Sequence, residues 1–158
     1  MTTELTEEVT LAEAKQWLRE RVHTGEHCPL CTQYAKVYRR TITAGMARAL
    51  IAMWHHAGTE WFYLPDITSR WRSRDEAHLR HWGLIQPAKG NRPDGPTRGW
   101  WRVTQFGVDF IHVRVKVDMH ALIYDDVLLG FDPENSISIL DAIDKKFDYH
   151  ALMRGDWA

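Results

Sequence analysis

The sequence predicts an α+β fold: a mixed core, a helical extension before it and a small hairpin-and-helix appendage after it. Three observations carry this. Leu79, Trp82 and Ile85 recur at three-residue spacing, as on one face of a helix that ends near Gly83. Leu84 to Gln86 and Trp100 to Thr104 have strand character and flank Lys89 to Gly99, a Gly/Pro-rich stretch too long for a tight hairpin turn. From Arg114 the pattern changes to short alternating runs broken by turn residues.

Taken in order, Met1 to Thr10 is polar, the composition of a terminus expected to fray. Thr10 caps a helix containing Ala12, Ala14, Trp17, Leu18 and Val22, with Glu13 completing a capping box and Gly25 as the stop. The segment 1–31 closes with His23 to Cys31, which holds Cys28-Pro-Leu-Cys31. That spacing supplies two thiolates of a zinc knuckle. Tetrahedral zinc needs two more ligands, and His23, His27, His55 and His56 are the candidates, His27 being awkwardly close to Cys28. Two outcomes stay open: no cofactor, with a Pro-containing turn and two thiols, or one structural zinc on Cys28, Cys31 and His23 with a second histidine.

The core is expected over residues 32–113. Thr32 to Ala57 predicts one long helix, or two with a break near Thr43 to Gly45. Met46, Leu50, Met53 and Trp54 give its second half a buried face, and Gly58 stops it. Glu60 to Leu64 predicts a short aromatic strand, and Pro65 or Asp66 opens a short helix through Trp71. Ser69 to Arg74 is a turn, and Ser73 with Glu76 predicts a capping box at the start of the next helix. A helix, a turn, a second helix and a hairpin with a long basic tip is the layout of a winged helix-turn-helix. Thr104 to Val113 predicts a closing helix with Phe106 and Phe110 inward. The appendage, 114–158, predicts a strand in Val113 to Val117 and a hairpin turning at Asp125-Asp126. A further turn at Asp132 to Asn135, a helix from Ser138 to Lys146 and a last helical turn after Phe147 complete it.

L-R-H-W-G-L-I, followed after a loop by W-W-R-V-T-Q-F-G, is similar to the "L…GLI…Y.LT..G" pattern of winged-helix DNA-binding proteins. The wider stretch, roughly Cys28 to Met153, resembles uncharacterised proteins of actinobacteriophages. The resemblance rests on Cys28 to Cys31, Tyr38 to Arg40, Ile123 to Phe131 and Phe147 to Leu152. It implies a fold and carries no activity.

The net charge of −1 conceals an asymmetry. Thr32 to Thr104 holds twelve Lys/Arg against five Asp/Glu, so the other residues hold eight against sixteen. A basic middle between acidic ends suits a polyanion-binding module. In a winged helix on double-stranded DNA, Arg74, His78 and His81 would face base edges. Arg70, Arg72, Lys89, Arg92 and Arg98 would contact phosphates. Asp75 and Glu76 oppose this, being acidic at the start of the reading helix, unless Glu76 turns back as a cap partner.

The alternative is a winged-helix module that binds a host protein. Eight tryptophans, and above all Trp100-Trp101, favour it, since alternation along a strand leaves one of the pair outside. No Gly-rich phosphate loop, G-x-S-x-G or H-E-x-x-H is present, and the nine histidines are scattered, so catalysis is not expected. No apolar run reaches transmembrane length, and the acidic N-terminus is unlike a signal peptide. A phage regulatory protein in the cytoplasm of a bacterial host, without a disulfide between its two cysteines, is the resulting expectation.

Overall fold

The computed structural model describes residues 5–67, 73, 75–90 and 97–156. Helices and antiparallel strands occur together along the chain, so the fold is α+β. It divides into two units: residues 1–40 with 121–131, and residues 41–120 with 132–158. The expected appendage, 114–158, therefore contributes to both.

In the first unit, α1 (Leu11–Arg19) begins at Thr10. The Thr10 hydroxyl accepts from Glu13 N at 3.2 Å, and Glu13 Oε2 accepts from Thr10 N at 2.7 Å, forming the expected capping box. Helical hydrogen bonding ends at Glu20, before Gly25, so Val22 is buried from a turn and not from the helix. Next come β1 (Glu26–His27), in the cysteine segment, and then β2 (Tyr34–Ala35) and β3 (Tyr38–Arg40), where the sequence pointed to a helix. Exposed Tyr34, Lys36 and Tyr38 alternate with buried Val37, and Val37 N donates to Val22 O at 2.8 Å. A helix would group Tyr34, Val37 and Tyr38 on one face; the pleat instead separates Val37 from Tyr34, Lys36 and Tyr38, and tyrosine and valine favour it.

β3 pairs antiparallel with β7 (Val117–Tyr124), which pairs with β8 (Val127–Ile137). Asp125 and Asp126 have φ of 51° and 59°. Two consecutive left-handed residues form the tight turn whose twist matches a hairpin, and aspartate tolerates that region. Two expectations fail here. Val113 to Lys116 precedes β7 instead of forming a strand, with Val113 itself at φ 62°, and Asp132 to Asn135 lies within β8.

The second unit is built around α2 (Ala44–Ala57), capped by Thr43 and stopped at Gly58, whose φ is 59°. Ala47, Ala49, Leu50, Ile51 and Met53 are at most 1 % exposed, so this helix is enclosed on most of its circumference. It packs against α3 (Gln105–Ile111), α4 (Ile139–Ile143), α5 (Tyr149–Met153) and the strand β6 (Trp100–Val103). β4 (Phe62–Tyr63) leads into a 3-10 turn at Leu64–Asp66 with Pro65 in its first turn. A 3-10 helix at Glu76–Trp82 ends at Gly83, whose φ is 71°, and β5 (Ile85–Pro87) follows. β6 pairs with both β4 and β5, giving the order β4-β6-β5.

The helix before the hairpin differs from expectation in type and start. Ser73 Oγ accepts from Asp75 N at 2.9 Å, making a turn, and no side chain caps Glu76–Trp82. Glu76 is 4 % exposed, buried at the first position of that helix. Three residues per turn stack Glu76, Leu79 and Trp82 in one inward row. Trp82 Nε1 donates to Asp118 O at 2.8 Å, which pairs the indole N–H.

Phe110 is fully buried as expected, but Phe106 is 40 % exposed. Trp100 and Trp101 are both half-buried, and Trp100 lies against Tyr63 with ring centroids 5.6 Å apart. Trp61, the residue before β4, is 41 % exposed.

Ser138 caps α4 through a second box: Ser138 Oγ accepts from Asp141 N, and Asp141 Oδ2 accepts from Ser138 N at 2.8 Å. Those bonds from Ser138 hold the Asp141 carboxyl below its ordinary pKa. A depressed carboxyl stabilises the fold above its unfolded pKa, and the contribution is lost as pH falls through the folded value. Ser138→Ala is expected to cost about 1 kcal/mol at neutral pH. The difference from wild type should shrink in urea melts as the pH is lowered below the ordinary carboxylate range. A difference independent of pH would contradict the cap.

Candidate functional site

The candidate nucleic-acid face lies in the second unit, on the 3-10 helix and the β5–β6 hairpin. Gln86 pairs with Arg102 and Pro87 with Trp101 across that hairpin, and Ala88 N donates to Trp100 O at 2.9 Å. The chain leaves the ladder at Lys89 and returns at Gly99, whose φ is 83° and whose carbonyl accepts from Leu64 N at 2.8 Å. Lys89 and Arg98 are exposed at the two ends of this loop. The Arg102 guanidinium sits 4.7 Å from the Trp61 ring centroid, and its Nε donates to Gln86 Oε1 at 3.0 Å.

Of the residues expected to touch DNA, Arg70, Arg72, Arg74 and Arg92 lie outside the described residues. Lys89 and Arg98 are exposed and available to a phosphate. His78 is half-buried. His81 is only 8 % exposed, where a base-edge contact needs an exposed side chain. The physical reason is the three-residue period, which places His81 beside His78, with Nδ1 of His78 3.4 Å from Nε2 of His81 and the rings stacked. The sequence could have signalled this only through the strict three-residue spacing of Glu76, Leu79 and Trp82.

A second candidate lies in the first unit, at the turn between β1 and β2. Cys28 N donates to Gln33 O at 2.7 Å and Thr32 N to Cys28 O at 2.9 Å. Thr32 takes φ of 66°, unusual for a β-branched residue. Leu30 N donates to Cys28 Sγ at 3.4 Å. Hydrogen bonds from the Cys31 backbone, from Leu30 and from the Cys31 side chain hold the Cys28 thiol below its ordinary pKa. Cys28 is half-buried, Cys31 is exposed, and no disulfide joins them.

This turn suits two thiolate ligands, but the expected ligand set does not assemble. Among the described residues, no third His, Cys, Asp or Glu groups with Cys28 and Cys31. His23 is exposed and does not group with the two cysteines, while the His27 ring lies edge-on to Tyr34 at 5.2 Å. His55 and His56 belong to α2 in the second unit, where His55 Nε2 lies 3.0 Å from Leu152 O.

Among the described residues, no helix is long and apolar enough to cross a membrane. No protein-family model, curated protein or solved structure matches the chain.

Proposed function

We propose that residues 44–111 form a winged-helix module that binds double-stranded DNA. The observation that carries this is the strand order β4-β6-β5 in a unit whose elements run helix, strand, turn, helix, strand, basic loop, strand. A winged helix has this succession and pairs its first strand with its third. The loop between β5 and β6 then becomes the wing, beside the helix that precedes β5. Lys89 and Arg98 give that loop positive charge at both ends, suited to phosphates. With His81 turned inward and Glu76 buried, the 3-10 helix offers few groups to base edges, so phosphate contact and duplex shape dominate over direct reading.

The test is a salt-controlled titration of labelled duplexes, one of them random in sequence. Lys89→Ala combined with Arg98→Ala should weaken binding to every duplex by a similar factor. It should also lower the salt slope by about two, one per lost phosphate contact. Absence of duplex binding by the wild type at low salt would reject the DNA role.

A protein-binding role is favoured by a different feature. Tyr63 on β4, the edge strand of this sheet, is 38 % exposed, and Trp61, just before that strand, is 41 % exposed. Edge strands and exposed tryptophans both serve as anchors for a protein partner.

A further inference from the structure

The first unit has 51 residues and little to hold it together. Among its described residues, the buried apolar side chains are Ala14, Val22, Val37, Ala121 and Ile123, none larger than isoleucine. Leu11, Leu30, Tyr34, Tyr38, Val127 and Leu129 are all between 49 % and 62 % exposed. Bodies of this size with so small a core commonly depend on a disulfide, a metal or a partner.

The cysteine turn has the form of half a metal site. Its sulfurs are presented by one tight turn, with a backbone N–H on Cys28 Sγ and Thr32 in the left-handed conformation that the close turn requires. Cys28 and Cys31 open on a shallow pocket of about 310 Å³, which Lys36 and Asp125 also line and no histidine does. Asp125 does not join the two sulfurs as a third ligand. Zinc held by two thiolates lacks half of its tetrahedral shell.

We propose that Cys28 and Cys31 bind zinc together with the same two cysteines of a second copy, forming a four-cysteine centre that joins two chains. A two-fold axis through the ion satisfies the tetrahedron with one turn from each copy, so the contact is closed and self-complementary. Four thiols release four protons and no electron is transferred. The resulting centre carries two negative charges, and Lys36, which lines the same pocket as the sulfurs, offsets part of them. Leu30, 62 % exposed between the two cysteines, is carried into the contact, where its burial adds to the stability of the pair.

The experiment uses the full chain without a histidine tag, reduced and stripped of metal. Zinc is titrated in against a chromophoric chelator while sedimentation follows the mass. The expected result is saturation at about half an equivalent of zinc per chain, with the mass doubling and a strong chelator reversing both. Cys31→Ser should abolish zinc uptake and dimerisation. Because Cys31 is exposed, that variant should keep the circular dichroism of the wild type. His23→Ala should leave the stoichiometry unchanged. One zinc per chain on a monomer would overturn the proposal in favour of a site completed within the chain. Absence of zinc uptake, or a dimer that persists in Cys31→Ser, would overturn it outright. Duplex binding is measured separately and does not enter the readout.

Discussion

Leu79→Ala is expected to lower the stability of the second unit by about 2–5 kcal/mol, the range for a buried leucine truncated to alanine. Leu79 is fully buried. It sits in the middle of the inward row of the 3-10 helix, between Glu76 and Trp82, and Leu84 N donates to its carbonyl at 3.4 Å. This helix has only seven residues and no side-chain cap, and its hydrogen-bond geometry is poorer than that of an α-helix. Packing therefore supplies most of what holds it, and neighbouring backbone cannot collapse far into the space left by the side chain. The loss should appear as a lower urea midpoint with an unchanged slope. A change below about 0.5 kcal/mol, the level typical of exposed positions, would mean that the row does not face the core. The proposed duplex binding should weaken in the same variant, because the helix and the hairpin share this packing.

Much of the second unit was legible in the sequence because its signals were local. Thr43 and Gly58 bracket α2, Gly83 ends the helix before the hairpin, and Thr104 and Ser138 open α3 and α4; each is a chemical marker at a helix end. The spacing of Leu79 and Trp82 was also visible, but it was read as an α-helical face. Three-residue spacing without a fourth-residue partner is the period of a 3-10 helix, and Glu76 in the same row was the overlooked sign. On an α-helical face His81 would point outward; on the 3-10 helix it is buried.

The errors in the first unit have a different origin. Residues 34–40 lie on β2 and β3, and the partner of β3 is β7, more than 80 residues further along, so no window around Tyr38 contains its pairing. The Asp125-Asp126 turn was legible because both residues tolerate the left-handed region; the length of β8 was not, because Pro133 reads as a break. Cys28 and Cys31 announced a metal knuckle, but whether histidines join them is a question of distance that spacing along the chain does not answer.

Gly107→Ala is expected to destabilise the second unit, against helix propensity. Alanine within a helix is favoured over glycine by about 1 kcal/mol, and α3 has ordinary geometry at this position, so an isolated view predicts a gain. The surroundings reverse the sign. A β-carbon on Gly107 would overlap the carbonyl oxygen of Leu84, lie 3.1 Å from the Leu84 carbonyl carbon and lie 2.9 Å from Val103 Cγ1. The close approach is locked by Thr104, whose hydroxyl accepts from Gly107 N at 3.0 Å and donates to Gly83 O at 2.6 Å. Thr104 N also donates to Leu84 O at 3.1 Å. The start of α3 is thus tied to the end of the 3-10 helix, and it cannot shift without breaking these bonds. Overpacking costs about 1–3 kcal/mol where side chains can adjust, and a clash with backbone belongs at or above the upper end. Val103→Ala in the same chain removes one of the contacts but leaves the Leu84 carbonyl in place. The double variant should therefore show no rescue in a urea melt. Full rescue by Val103→Ala, or a net gain from Gly107→Ala alone, would show that α3 does not sit on Leu84 as described.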